Sequence, residues 1–142
     1  MVEIISFKGS DKENLALAHS VRTEVFVNEQ HVDSAIELDE FDEVAQHYLL
    51  FIDHKAVGTA RWRETEEGIR LERFAVIASE RRNYYGQLIL DHILADLLPM
   101  EKEIYLHAQI YVVDWYKDNG FETVGEHFLE AGVEHVKMIL TA

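Results

Sequence analysis

The densest chemistry of the chain lies in Leu71–Leu98, which begins LERFAVIASERRNYYGQ. It reads as an apolar strand, a turn bearing Arg81 and Arg82, then a long amphipathic pattern. A strand that feeds a helix N-terminus presents backbone N–H groups without intrahelical partners, at the positive end of the helix dipole. Two arginines beside such amides make an anion site, and the expected anion is the pyrophosphate of a nucleotide cofactor. Further on, His107 and Gln109 alternate onto one face of an expected strand, to line a second ligand or to hydrogen-bond within the sheet. Several other chemistries lack their motifs: there is no GxSxG, HExxH, P-loop or GxGxxG pattern. None of the eight histidines is spaced i, i+3 or i, i+4 from another in an expected helix. The carboxylates from Glu37 to Glu43 lack the central glycine and ligand spacing of a calcium loop, so no metal is expected.

The elements that must hold these residues follow from periodicity. Val2–Phe7 is a short strand. Ser10 and Glu13 form a capping-box pattern that opens a helix with Leu17, Ala18, Val21 and Val25 on its apolar stripe and Arg22 and Glu24 on other faces. That helix ends near Asn28–Gln30, and His31–Gln46 is an acidic loop with one short helix around Asp42–Gln46. His47–Ile52, Ala56–Arg63 and Ile69–Ile77 are antiparallel strands joined by turns at Asp53–Lys55 and Glu66–Gly68. The helix after the arginine turn repeats Ile89, Leu90, Ile93, Leu94, Leu97 and Leu98 at i, i+3/i+4, and Pro99 marks its stop. A strand–helix–strand crossover puts Ile104–Gln109 parallel to Ile69–Ile77. A helix over Val112–Asn119 closes at Gly120, and Phe121–Phe128 and His135–Leu140 end the chain around a Leu129–Glu134 turn. Residues 1–142 thus read as one α+β domain with a mixed sheet.

Charge separates two regions. The net charge is −14, which disfavours nucleic acid and anionic membrane as partners. Between Arg22 and Lys55 there is no lysine or arginine, while Asp33, Glu37, Asp39, Glu40, Asp42 and Glu43 fall there. That run fits a cationic partner or plain solubility charge. Six of the seven arginines lie between Arg61 and Arg82. No apolar run approaches the ~18 residues of a membrane span, and the N-terminus has no signal-peptide pattern, so the cytoplasm is the expected compartment. The absence of cysteine removes disulfides and thiolate chemistry.

The segments LERFAVIASERRNYYG and LHAQIYVVDWYKDNGF, in this order and spacing, resemble the GCN5-related N-acetyltransferase (GNAT) superfamily. VRTEVFVNEQHV, ARWRETEEGIRLERFAV and EHFLEAGVEHVKMIL look like its ElaA-type branch, and the likeness spans nearly the whole chain. It implies an acyl-CoA N-acyltransferase fold, a mixed sheet of about seven strands flanked by helices. It also implies acetyl-CoA as cosubstrate, a homodimer as one assembly open to it, and transfer of the acetyl group to a primary amine by direct attack in a ternary complex. Phe74, Ala75 and Val76 correspond to the segment that holds pantetheine. Arg81, Arg82, Asn83, Tyr84, Tyr85, Gly86 and Gln87 form the phosphate turn, and Gln109, Val112 and Tyr116 stand at the pattern N-x-x-A-x-x-x-Y.

The family turn R/Q-x-x-G-x-G/A departs here, because Tyr84 occupies the central glycine position. Weaker binding, a shifted pyrophosphate, or unchanged binding with an outward tyrosine all remain open. A non-catalytic CoA-binding or interaction module of the same fold is the alternative. Direct transfer needs a base for the amine, an N–H donor for the oxyanion and an acid for the thiolate. Glu72 is the expected base, with an ion pair to Arg61, Arg63 or Arg70 as its competing role. Backbone N–H groups of Phe74–Val76 supply the oxyanion donor, and Tyr116 is the expected acid. Arg22, Glu24, Gln30 and His107 are candidates for the acceptor side, with a small, cationic amine as the acceptor. Trp62 and Trp115 read as core aromatics, and Glu130 and His135 as braces of the last hairpin.

Overall fold

The computed structural model describes residues 1–34 and 38–141; Glu37 of the acidic run lies outside the described residues. Seven strands form one sheet: β1 (Val2–Lys8), β2 (Gln46–Ile52), β3 (Lys55–Thr65), β4 (Gly68–Val76), β5 (Ile104–Gln109), β6 (Phe121–Glu130) and β7 (Val133–Leu140). Their order is β1-β2-β3-β4-β5-β7-β6, and β4–β5 is the parallel pair that the crossover helix requires. The α-helices among the described residues include α1 (Lys12–Arg22), α2 (Tyr85–Leu97) and α3 (Val113–Asp118).

The two sheet faces differ in chemistry. Ile69, Leu71, Leu106, Ala108, Val136 and Met138 bury one face in the same core as Ile89, Leu90, Ile93 and Leu97 of α2. Each fully buried aliphatic side chain of that kind contributes about 1.5–3 kcal/mol. Cross-strand registers put Arg61, Arg63, Arg70, Glu72, Tyr105, His107, Gln109, His135 and Phe128 on the other face. That face therefore carries most of the charge the sheet must bury.

Two irregularities shape the centre. In β4, Arg73 and Phe74 together oppose Ala60 of β3, a β-bulge with Arg73 at φ 56°. Period-2 alternation, which would put Glu72 on one face with Phe74 and Val76, does not hold across this bulge. The pairing of β4 with β5 also covers only Ile69–Leu71 against Ile104–Leu106. Beyond those residues the two parallel strands part, and the β4 edge from Glu72 to Val76 faces a cleft.

Several local expectations are corrected. Asp11, not Ser10, caps α1, accepting from the Asn14 amide. Leu17 is 40% exposed, while Leu15, Ala18, Val21 and Arg22 are buried. Arg22 turns inward because a carboxylate waits there: its Nη1 donates to Asp42 Oδ1 at 2.7 Å. After α1 the chain widens into a π-helical segment, Thr23–Glu29, in which the Gln30 amide reaches the Val25 carbonyl, an i to i−5 bond. The short helix of the acidic loop is a 3-10 turn at Glu40–Glu43, earlier than Asp42–Gln46. Gly9 lets that loop close onto β1, since a Cβ there would collide with the Asp42 carbonyl. The last hairpin is tighter than expected: its loop is only Ala131 and Gly132, both at positive φ.

Candidate active site

One cavity of about 810 Å³ runs through the gap between β4 and β5. Phe74, Ala75, Val76, Arg82, Tyr84–Gln87, Trp115 and Tyr116 line one end. Gln30, Arg70, Glu72, His107, Gln109, Glu130 and His135 line the other. The sequence-expected cofactor and acceptor residues thus meet in one space, with three exceptions. Arg22 is a buried cation held by Asp42, Glu24 is exposed, and Asn83 turns away to donate to the Glu80 carbonyl. None of the three lines the cavity.

At the turn end the backbone does the work. Tyr84 adopts φ 64°, ψ 16°, the left-handed conformation that glycine takes without steric cost. Its side chain is 82% exposed at the cavity mouth, so the ring is not packed into the protein at the turn. Arg82 is also left-handed, at φ 69°. A tyrosine in this region costs about 1–2 kcal/mol relative to the right-handed form. The strain sets the first amides of α2 at the mouth of the cavity without intrahelical acceptors. Gly86 follows in the first turn of α2. A Cβ there would meet Phe74 at 3.6 Å and Trp115 at 3.9 Å, ordinary contacts, so protein packing does not demand the glycine. The bare backbone leaves room for a ligand. A pyrophosphate therefore fits this turn despite the departure from the family pattern.

The arginines divide their labour. Arg81 does not reach into the cavity as a free cation: its two Nη atoms both donate to Glu29 at 2.7 Å, and its Nε donates to the Val76 carbonyl at 2.8 Å. It ties the turn to the π-helical segment. The Glu29 hydrogen bond holds the Arg81 pKa above its ordinary value, outweighing the opposing effect of burial. Arg82 has no ion-pair partner among the described residues and is the cation left for a phosphate. Gln87 is engaged within the protein, donating to Asp91 at 2.9 Å and to Asn119 at 2.6 Å.

Tyr116 is 8% exposed and packs edge-on against Trp115 and Phe121. Burial, reinforced by Tyr111, pushes its phenol well above its ordinary value. A phenol that weak as an acid donates a hydrogen bond to a departing thiolate more readily than a whole proton. Gln109 Nε2 donates to Gln30 Oε1, and Gln30 Nε2 donates to the Tyr111 hydroxyl. These amides bridge the π-helical segment and the end of β5 across the cavity.

The far end is a network of buried charge that sequence periodicity did not reveal. Arg61 is 1% exposed and donates to Asp39, Asp42 and Glu72. Glu72 also accepts from Arg63 Nε at 2.6 Å and faces Arg70 Nε at 3.2 Å. The expected base is therefore the central anion of three guanidinium groups, and the ion-pair role is the one the geometry displays. Asp39 and Asp42 of the acidic run point inward onto arginines, while Asp33, Glu40 and Glu43 are exposed. Burial raises the Asp42 pKa, but Arg22, His19 and Arg61 outweigh it and hold the carboxyl far below its ordinary range. Glu130 extends the network, accepting from Arg70 at 2.8 Å and from His107 at 3.2 Å. Burial opposes these bonds and loses, and the Glu130 pKa falls to about 2.

The fold and this two-ended cleft define an acyl-CoA N-acyltransferase architecture, and relatives agree. Residues 9–142 match the family model described as an acetyltransferase (GNAT) domain, and the chain belongs to that family. It is 35% identical over 133 residues to the Bacillus subtilis strain 168 protein YjcF, described as an uncharacterized N-acetyltransferase, covering 91% of this chain and 94% of that one. Escherichia coli ElaA superposes with a TM-score of 0.89 at 25% identity over 99% of this chain and 100% of that chain. An acyl-CoA N-acyltransferase from Pseudomonas aeruginosa shares the fold, with a TM-score of 0.88 at 24% identity over 99% of this chain and all of that one.

Proposed function

We propose that this protein transfers an acetyl group from acetyl-CoA to a primary amine by direct attack in a ternary complex. The carrying observation is the single cavity that joins an amide-lined turn to a charged chamber through the splayed β4–β5 gap. Acetyl-CoA supplies the activated acyl group. The N-terminal amides of α2 and Arg82 hold its phosphates, and the open β4 edge at Phe74–Val76 aligns the pantetheine and donates to the carbonyl oxygen as negative charge grows there. Tyr116 hydrogen-bonds the leaving sulfur. Glu72 fixes Arg61, Arg63 and Arg70 and so shapes the acceptor chamber.

The rival reading, a non-catalytic module, rested on a blocked phosphate turn, and the solvent-exposed ring of Tyr84 supports a turn that the protein does not plug. Calorimetric titration with CoA decides between binding and none, and release of free thiol from acetyl-CoA in the presence of primary amines decides between enzyme and sensor. Micromolar binding with amine-dependent thiol release is the expected outcome. Absence of heat at millimolar CoA sinks the enzyme reading and favours the non-catalytic module with a blocked turn.

A further inference from the structure

Taking acetyl transfer as given, the chamber still needs a group that accepts the amine proton, and Glu72 is enclosed by arginines. The last hairpin supplies another candidate. His135 is 8% exposed and lines the cavity. Its Nδ1 lies 2.7 Å from the Val133 carbonyl. A carbonyl only accepts, so Nδ1 carries the proton and Nε2 of the neutral ring keeps its lone pair. That Nε2 faces Glu130 Oε2 at 3.8 Å. The other oxygen of Glu130 is already taken by Arg70 and His107. Two acceptors thus face each other beyond hydrogen-bond distance, with no donor between them among the described residues.

We propose that Glu130 Oε2 and His135 Nε2 form the seat for the acceptor's ammonium group, and that His135 is the general base of the transfer. A primary ammonium has three donors and can serve both atoms at once. It gives one proton to His135 Nε2, and the freed lone pair forms the C–N bond at the thioester carbonyl. The C–S bond pair leaves with the sulfur, which takes the second proton shed by the nitrogen as the amide forms. Solvent removes the first proton from the imidazolium, which Glu130 stabilises meanwhile. The groups facing His135 are His107 and Gln109 from β5, Phe128 and Glu130 from β6, Arg70 from β4, and Lys137 on its own strand, the last engaged by Glu67. Arg63 and Arg70 line the same chamber, so a second positive charge on the acceptor meets a guanidinium. The acceptor class is a primary monoamine whose remainder is neutral or anionic, which replaces the cationic acceptor expected from net charge alone.

Two measurements test this separately from acetyl transfer. Nitrogen-15 spectra of the imidazole in the wild-type protein must show His135 protonated at Nδ1, with Nε2 shifting on titration with a primary monoamine. An Nε2-protonated ring, or an amine-independent Nε2, overturns the proposal even if the enzyme is active. His135→Asn keeps a donor for the Val133 carbonyl and removes the base. It is expected to fold and bind CoA as the wild type does, to lose roughly 100- to 10,000-fold in kcat/KM, and to lose the acidic limb of the pH–rate profile. Glu130→Gln is expected to raise KM for the amine more than it lowers kcat. A His135→Asn protein within threefold of wild type at every pH, or a polyamine preferred over monoamines, overturns the assignment. Failure of CoA to bind the wild type would instead count against acetyl transfer itself, and the nitrogen-15 titration would still judge the ammonium seat.

Discussion

The two ends of the cavity solve opposite problems by opposite means. The turn end, proposed to accept a polyanion, offers backbone: helix amides, a left-handed Tyr84 and a bare Gly86. The chamber end, where the acceptor amine is proposed to sit, is walled by side chains locked in an ionic lattice from His19 through Asp42, Arg61, Glu72 and Arg70 to Glu130. Backbone sites tolerate changes of residue type so long as the conformation survives. An ionic lattice does not, because removing one member leaves its buried partners uncompensated.

The sharpest way to break the comparison is at the lattice. Arg61→Leu leaves Asp39, Asp42 and Glu72 without their shared cation and is expected to cost about 3–5 kcal/mol, read as a lower urea midpoint. A loss under 1 kcal/mol would show that the lattice is not a unit. Acid attacks the same end. Asp42, Asp39 and Glu130 have folded pKa values below their unfolded ones, so their stabilisation is whole above about pH 4 and drains as pH falls, Glu130 reaching its end near pH 2. Burial also lowers the pKa of His47, so the unfolded chain gains a proton first and stability begins to fall below about pH 6.5. Urea midpoints across pH should therefore decline in two stages, and His47→Gln should remove the upper one.

At the turn end the effects are smaller and run the other way. Tyr84→Gly relieves a left-handed side chain and is expected to stabilise by up to about 1 kcal/mol with CoA affinity kept or improved. A loss of affinity would mean that the exposed ring itself touches the cofactor. Gly86→Ala is expected to raise stability by about 0.5–1 kcal/mol while weakening CoA binding, since its Cβ meets only ordinary contacts in the protein but occupies the space left for the phosphates. Smallest of all is Glu29→Gln. It frees Arg81 from an exposed pair that contributes about 0–1 kcal/mol, and it should tighten CoA a few-fold by releasing a second cation to the phosphates.

How far the sequence reached depended on the range of each signal. The strands, the crossover helix α2, the parallel β4–β5 pair and the arginine turn were legible because hydrophobic period and punctuating residues are local properties. The inward turn of Arg22 was not legible, since its partner Asp42 is twenty residues away and both sit in segments that read as surface. The bulge at Arg73 left no mark either: no glycine announces it, and its positive φ follows from the register with β3. Glu130 and His135 were noticed only as braces of a hairpin. Their meeting with Arg70 and His107 needs the order β4-β5-β7-β6, in which β7 lies between β5 and β6.

By itself the sequence determined the element order, the apolar face under α2 and the place of the arginine turn ahead of that helix, because each follows from neighbours along the chain. The tertiary structure alone decided that the Tyr84 ring is left exposed, that Glu72 is an anchor among arginines, and that Glu130 and His135 face one another at 3.8 Å. Those outcomes depend on which charges find each other across the sheet. A buried charge takes whatever partner the fold brings within reach, and sequence distance says nothing about that.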